Sequence, residues 1–300
     1  MSDPKNQHYL PQFYLKGFCS PDGSGLAYIR RKGYAHWKKR GIKNVGAQDY
    51  LYSFRDASGN MCHEIETMFS QQEDLFAPVL QKVLTGQAIS NDEEFLLAYF
   101  FMTTWQRGPG QIAYFRNIVS GIGQDILKTI YNSFNRNPDA WEKEKAQYKQ
   151  DTGKDDIDIL KAEDLDPTKV KIEAISPATL LSMIEEAIPL SEIVRQMGWT
   201  FLKSEPPNFF ITSDSPCCII NPADKSRQSG LAHQDVEISM PLSCNVAFFA
   251  GWKSDGRRWR PASEHIVKQI NYRTACFASR ELIAPKQVFP GSEKVLAHFV

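Results

Sequence analysis

Five ionisable side chains sit where a free charge would be expensive. His8, Glu66, Glu73, Arg107 and Asp214 each neighbour strongly apolar sequence, and a charge taken out of water is costly unless it is paired and hydrogen-bonded. As a set they could form a hydrolytic centre. His8 would serve as general acid or base, Asp214 and a glutamate would orient it or hold a metal, and Arg107 would grip a phosphate or carboxylate through its planar fork. Such chemistry suits hydrolysis of phosphodiesters or other esters, with His8, Glu73, Arg107 and Asp214 as the catalytic groups. An architectural alternative uses the same residues differently. Arg107 and the glutamates then form a buried ion-pair network that locks helices together, Asp214 caps a turn and His8 is a satisfied core imidazole.

Other chemistries find no pattern to stand on. "HEIE" at residues 63–66 lacks the second histidine of H-E-x-x-H, and no G-x-S-x-G elbow exists. "GSG" and "GIGQ" lack the strand and lysine of a phosphate loop. Asp151, Asp155, Asp156 and Asp158 lack the glycine and glutamate spacing of a calcium loop, so they read as a solvated face. The six cysteines are scattered with no C-x-x-C pair, which reads as buried free thiols rather than disulfides or zinc. No cofactor is indicated. A divalent metal would be compatible with the carboxylates, but no ligand spacing points to one.

The elements that must position these residues fall in three textures. Residues 1–60 read as an N-terminal anchor followed by strands, with "GLAYIRR" and "DYLYSF" carrying the aromatic and β-branched residues that strands favour. In the anchor, "NQHYLPQFYLKGF", the apolar side chains would bury against later elements and hold His8 in place. Residues 63–134 read as helices. Glu66 and Glu73 lie two turns apart on the first, sharing a face about 10 Å long. Ser90 and Glu93 make a capping-box signature ahead of "FLLAYFF", and Gly108-Pro109-Gly110 ends that helix just after Arg107. Antiparallel packing of the two helices would bring Arg107 within reach of Glu66. A further helix is expected from Gln111 to about Phe134. Residues 135–172 are a charged surface excursion, 176–197 a helix with Gly198 as candidate C-cap, 198–280 a sheet and a helix, and 281–300 a tail read as a loop with a terminal strand. The whole is read as a single domain.

Several pieces, in this order, resemble a bacterial family known as domain of unknown function 4238. They are the opening His-x-x-Pro-x-x-Tyr-Leu, "IETMFSQQEDLFAPVLQKV", "WQRGPG", "FFITSDSPCCI", "ISMPLSCNVAFF" and "QINYRTACFASR". The resemblance runs from about residue 6 to residue 280. It implies motif positions at His8, Pro11, Tyr14, Leu15, Phe18, Glu66, Glu73, Arg107, Pro109, Asp214, Pro216, Pro241 and Leu242, with Tyr14 and Glu66 as ligand-binding candidates. One departure is visible: the family tends toward Arg-Thr-Pro where this chain has Arg107-Gly108-Pro109. The resemblance supplies no reaction.

The fold expected is α+β: a central helical bundle packed against a mostly antiparallel sheet built from N-terminal and C-terminal strands. Thirty-five basic and thirty-five acidic residues give zero net charge, which argues against a generally basic nucleic-acid-coating protein. Nucleic acid remains a weak candidate partner through the basic stretch Arg30–Lys43, whose bland reading is a lysine-rich hairpin blunting a sheet edge. No apolar run reaches the length of a membrane span and the start lacks a signal-peptide pattern, so a cytoplasmic location is expected. Two functions compete. One is a hydrolase at the polar set; the other is a non-catalytic binding or sensor module in a defence or toxin context. The second predicts an exposed apolar patch or groove, for instance near Tyr34–Arg40, and no converging polar pocket.

Overall fold

In a computed structural model of the chain, residues 5–55, 58–155, 161–173, 177–224 and 229–299 are described. In order they form β1 (Asn6–His8), α1 (Gln12–Leu15), β2 (Leu26–Arg31), β3 (Lys38–Gly41), β4 (Ala47–Asp49), β5 (Phe54–Arg55), β6 (Met61–Cys62), α2 (Glu64–Leu84), α3 (Asn91–Gln106), α4 (Pro109–Arg136) and α5 (Pro138–Thr152). Then come α6 (Pro177–Gln196), β7 (Gly198–Lys203), β8 (Thr212–Ser213), β9 (Cys218–Ile220), β10 (Glu237–Pro241), β11 (Val246–Gly251), β12 (Arg257–Pro261), α7 (Glu264–Phe277), β13 (Glu281–Ala284) and α8 (Ser292–His298). The protein is a mixed α+β fold with mostly antiparallel sheets. No helix among the described residues is long and apolar enough to cross a membrane.

The sheets divide the work. A four-stranded sheet of order β3-β2-β13-β8 joins N-terminal to C-terminal strands, and a five-stranded sheet of order β12-β7-β11-β10-β9 is made wholly from the last third. The single sheet expected from the sequence is therefore several. In the five-stranded sheet every pairing is antiparallel except β12 with β7, which is parallel. β7 is buried on both faces over five of its six residues. Trp199 and Phe201 face α3, where Phe101 lies 4.2 Å from the ring of Phe248. Leu202 and Ala247 face α7 and pack with Val267 and Ile270. This explains why "FLLAYFF" is apolar nearly all round: α3 also meets Phe76 of α2 and Tyr14 of α1 through Phe100.

Two compact units are distinguishable, Met1–Ile112 with Leu180–Val300, and Ala113–Thr179. The second contains most of α4 together with α5. Inside it Gln124 acts as a clasp, donating to the carbonyls of Pro167 and Val170 and accepting from the Ile172 amide, each at 3.0 Å. The charged excursion is helical over α5, whose Trp141 packs on Phe134 of α4. Asp156 and Asp158 lie outside the described residues.

Some local expectations are corrected. Gly198 does not cap α6; it begins β7, in extended pairing with Gly251. Glycine is needed there because a Cβ would collide with the backbone carbonyl of Ser254. The tail begins with a strand, β13, and ends in a helix, α8, started by Gly291 at φ +79°. α4 starts two residues before Gln111, with Pro109 as its first residue. Of the cysteines only Cys217 and Cys218 are fully buried; the four others are half-buried free thiols.

Candidate functional site

Arg107 is the hub. α3 starts where expected, with the Ser90 hydroxyl accepting from the Glu93 amide and the Glu93 carboxylate accepting from the Ser90 amide. It stops at Arg107 because the next helix begins at Pro109, leaving Arg107 as C-cap. The side chain is only 3% exposed. Its Nε donates to the Tyr9 carbonyl at 2.9 Å, and its Nη2 donates to the His8 carbonyl at 3.0 Å and to Glu73 Oε1 at 2.6 Å. Beneath it lies the Phe69 ring, 4.7 Å from ring centroid to guanidinium carbon. The two carbonyls belong to the stretch where β1, paired to β4 from Asn6 through His8, leaves its ladder.

Glu66 stands beside this hub without bonding to it. The expected Arg107–Glu66 pairing is replaced by Arg107–Glu73, with the guanidinium lying over the Phe69 ring. Glu66 Oε2 is buried with no hydrogen-bond partner. Burial pushes its pKa from 4.5 up to about 7, with the Arg107 charge opposing and the Glu73 charge assisting. A raised carboxyl contributes stability that is present below its unfolded pKa and lost as pH rises through the folded one. Glu66→Gln removes that loss. The variant is expected to gain about 1–2 kcal/mol over the parent near pH 8, and nothing near pH 4, a figure discounted for partial exposure. Thermal melts of both proteins at the two pH values check it, and equal differences at both would contradict a strained carboxylate here.

Room for a substrate is small at this point. The adjoining cavity, lined by Tyr52, Phe69, Thr103, Gln106 and Arg107, measures about 10 Å³, the space of one water. Gln106 Oε1, buried, has no hydrogen-bond partner among the described residues.

The other expected site residues are distributed around this hub. His8 gives Arg107 its backbone carbonyl, while its imidazole points elsewhere, with Nε2 3.0 Å from the Lys43 carbonyl. Burial lowers the imidazole's pKa, and the Glu73 charge counters this in part. Asp214 follows β8 and is fully buried. Its Oδ1 accepts from the Ser279 amide at 2.9 Å, Oδ2 has no hydrogen-bond partner among the described residues, and burial pushes its pKa up to about 6 against the pull of the Glu281, Ser279 and Arg280 amides. Asp214 thus holds the turn before β13 rather than its own turn. Tyr9 links the two places: Arg107 takes its carbonyl, and the Asp214 charge, after burial itself, raises the pKa of its phenol. Tyr14 lies apart. Its hydroxyl bonds Thr212 Oγ1 at 2.6 Å and donates to the Pro241 carbonyl at 2.8 Å. The structure therefore brings Glu73, Arg107 and the His8 carbonyl into contact, sets Glu66 alongside, reaches Asp214 through Tyr9, and leaves Tyr14 to tie the N-terminal segment to both sheets.

Gln7 was missed. Fully buried, it donates to Ser53 Oγ at 2.5 Å and accepts from the Tyr52 amide at 2.7 Å. Its neighbours Asn6 and His8 are polar, so no local signal marks it as buried.

The basic stretch forms the β2–β3 hairpin. Register sets Ile29 opposite Lys38 and Ala27 opposite Arg40, so Arg31, Lys38 and Arg40 share one face. With Tyr34 and His36 from the turn they line a concavity of about 90 Å³. Arg31 pairs with Glu281 at 2.7 Å, and Lys39, on the opposite face, pairs with Asp22. Among the described residues no carboxylate pairs with Lys38 or Arg40. Tyr34 is 63% exposed, whereas Trp37 turns inward against Phe289.

Fold and site together define an α+β protein whose N-terminal segment is fastened by a buried arginine and whose β2–β3 hairpin gathers cations around a concavity. The chain belongs to the family described as protein of unknown function (DUF4238), whose model matches residues 6–287. No curated protein and no solved structure matches it.

Proposed function

We propose that the chain is a non-catalytic binding module that takes the phosphate backbone of a single-stranded nucleic acid on the β2–β3 hairpin. One observation carries the reading: Lys38 and Arg40 face the same concavity without carboxylate partners, beside the exposed ring of Tyr34. Backbone phosphates supply the missing counter-charge and a base supplies a face for the tyrosine. Zero net charge is compatible with this, because the positive field is local. The bacterial, cytoplasmic setting expected from the sequence belongs to the same proposal. Lys38→Gln with Arg40→Gln is expected to weaken binding of a single-stranded oligonucleotide about tenfold or more, and to flatten the logarithmic salt dependence by about 1.4, the share of two phosphate contacts. Fluorescence anisotropy across a salt series measures both. An affinity that the double substitution leaves unchanged would sink the proposal.

Hydrolysis at His8, Glu73, Arg107 and Asp214 is the second reading. Its support is the pair of unpartnered carboxyl oxygens on Glu66 and Asp214, both with raised pKa as general acids require. Against it stand the engaged donors of Arg107 and a cavity the size of a water. Cleavage of a phosphodiester that is lost in Asp214→Asn while the fold is kept would favour this reading over the first.

A further inference from the structure

A second concentration of arginine lies on the five-stranded sheet. β12 forms its edge, and register sets Arg258 beside Thr200 and Arg260 beside Leu202. Both arginines therefore lie on the face that α7 covers. A cavity of about 220 Å³ opens there, lined by Arg258, Arg260, Arg273, Thr200, Phe249 and Ile266 among others.

The neighbouring arginine of the same strand shows what a structural role looks like. Arg257, on the opposite face, donates to both carboxylate oxygens of Glu94 and to the carbonyls of Met197 and Arg195, and it stacks 4.3 Å from the Trp199 ring. Arg258 and Arg260 are different. Arg258 makes one long bond, from Nε to Thr200 Oγ1 at 3.3 Å. Among the described residues no carboxylate pairs with either side chain. Arg273, reaching in from α7, donates Nη2 to Glu237 at 2.6 Å, while its Nη1 is buried with no partner. Blunting the sheet edge would need charges directed to solvent. It does not explain three guanidiniums converging on one concavity with a single carboxylate among them.

We infer that this cleft binds a small phosphate monoester, its phosphoryl oxygens held by Arg258 and Arg260 and its organic body resting on Phe249 and Ile266. Two uncompensated guanidiniums match the dianion that a phosphate monoester carries above its second pKa of about 6, and the planar fork of arginine suits phosphoryl oxygens. The cavity is below the ~300–1,000 Å³ of pockets for drug-sized ligands, and a phosphoryl group with a compact organic body matches its size. This site is separate from the hairpin and stands whether or not the hairpin binds nucleic acid.

Isothermal titration of the full chain near pH 7.5, where the monoester is dianionic, tests it with phenyl phosphate and inorganic phosphate as probes. Phenyl phosphate is expected to bind about tenfold or more tighter than inorganic phosphate, because only it fills the apolar wall. Arg258→Gln and Arg260→Gln are each expected to weaken phenyl phosphate about tenfold or more. Lys38→Gln with Arg40→Gln is expected to leave it unchanged. Arg260→Gln removes no hydrogen bond to the protein, so its melting temperature should match the parent and its binding remains interpretable if Arg258→Gln fails to fold. Three results would overturn the inference: no heat with phenyl phosphate, equal affinity for both probes, or binding undiminished in Arg260→Gln.

Discussion

Arg107→Ala is expected to cost about 3–5 kcal/mol of stability, the range for removing one partner of a buried charge pair. The substitution acts in three places at once. It strips Glu73 of its counter-ion, leaves the His8 and Tyr9 carbonyls without their donors, and empties the space over the Phe69 ring. Urea unfolding followed by tryptophan fluorescence gives the size of the loss. Hydrogen exchange locates it: amides of residues 7–18 should exchange earlier than those of β7 and β11, because the clamp acts on the N-terminal segment. Arg107→Lys separates charge from shape. Lysine keeps the attraction to Glu73 but has no fork for two carbonyls, so it should recover only part of the loss. A loss below about 1 kcal/mol for alanine would mean that the segment is held by its apolar side chains alone.

Asp214→Ala carries the second large effect, a loss of about 2–3 kcal/mol from the lost acceptor of a backbone amide and the void left behind at a fully buried position. The amide is that of Ser279, in the turn before β13. The turn matters because β13 sits between β2 and β8 in the four-stranded sheet and so joins the two ends of the chain. Asp214→Asn discriminates the cause. Asparagine keeps an acceptor for Ser279 but cannot ionise. With the carboxyl raised to about 6, its stabilising contribution is complete below its unfolded pKa and declines as pH rises through 6. The asparagine variant should therefore gain on the parent between about pH 4 and pH 7, while the alanine variant stays weaker throughout. If the asparagine and parent curves run parallel across that range, Asp214 is not a strained carboxyl.

The legible parts of this protein were those written in short stretches of sequence. Ser90 and Glu93 announced the start of α3, Gly108-Pro109 announced its end, and Tyr9, Leu10, Phe13, Tyr14, Leu15 and Phe18 could be read as an anchor because their apolar side chains must be covered; five are buried and Phe13 is half-buried. The illegible parts depend on long-range approach. Arg107 was expected near α2, but nothing local says that it rests over Phe69 and bonds Glu73 rather than Glu66. Its other two partners are backbone carbonyls, which every residue has, so His8 drew attention for an imidazole that the hub does not touch. Gly198 looked like a cap because glycine usually follows a helix; its reason is the backbone of Ser254, fifty-six residues later. The β12 arginines were overlooked because strand polarity and register against β7 decide which of Arg257, Arg258 and Arg260 share a face, and those are set by partners outside the segment.

The fastening of the N-terminal segment also bears on how the protein is made. Tyr14 is synthesised well before its partner: its hydroxyl closes on Pro241, 227 residues further along. At elongation rates of ~5–20 residues per second, the aromatic stretch waits roughly 10–45 seconds for its resting place to exist. Throughout that interval its apolar side chains stay uncovered and adhesive, and the stretch is settled only once β10 has been made.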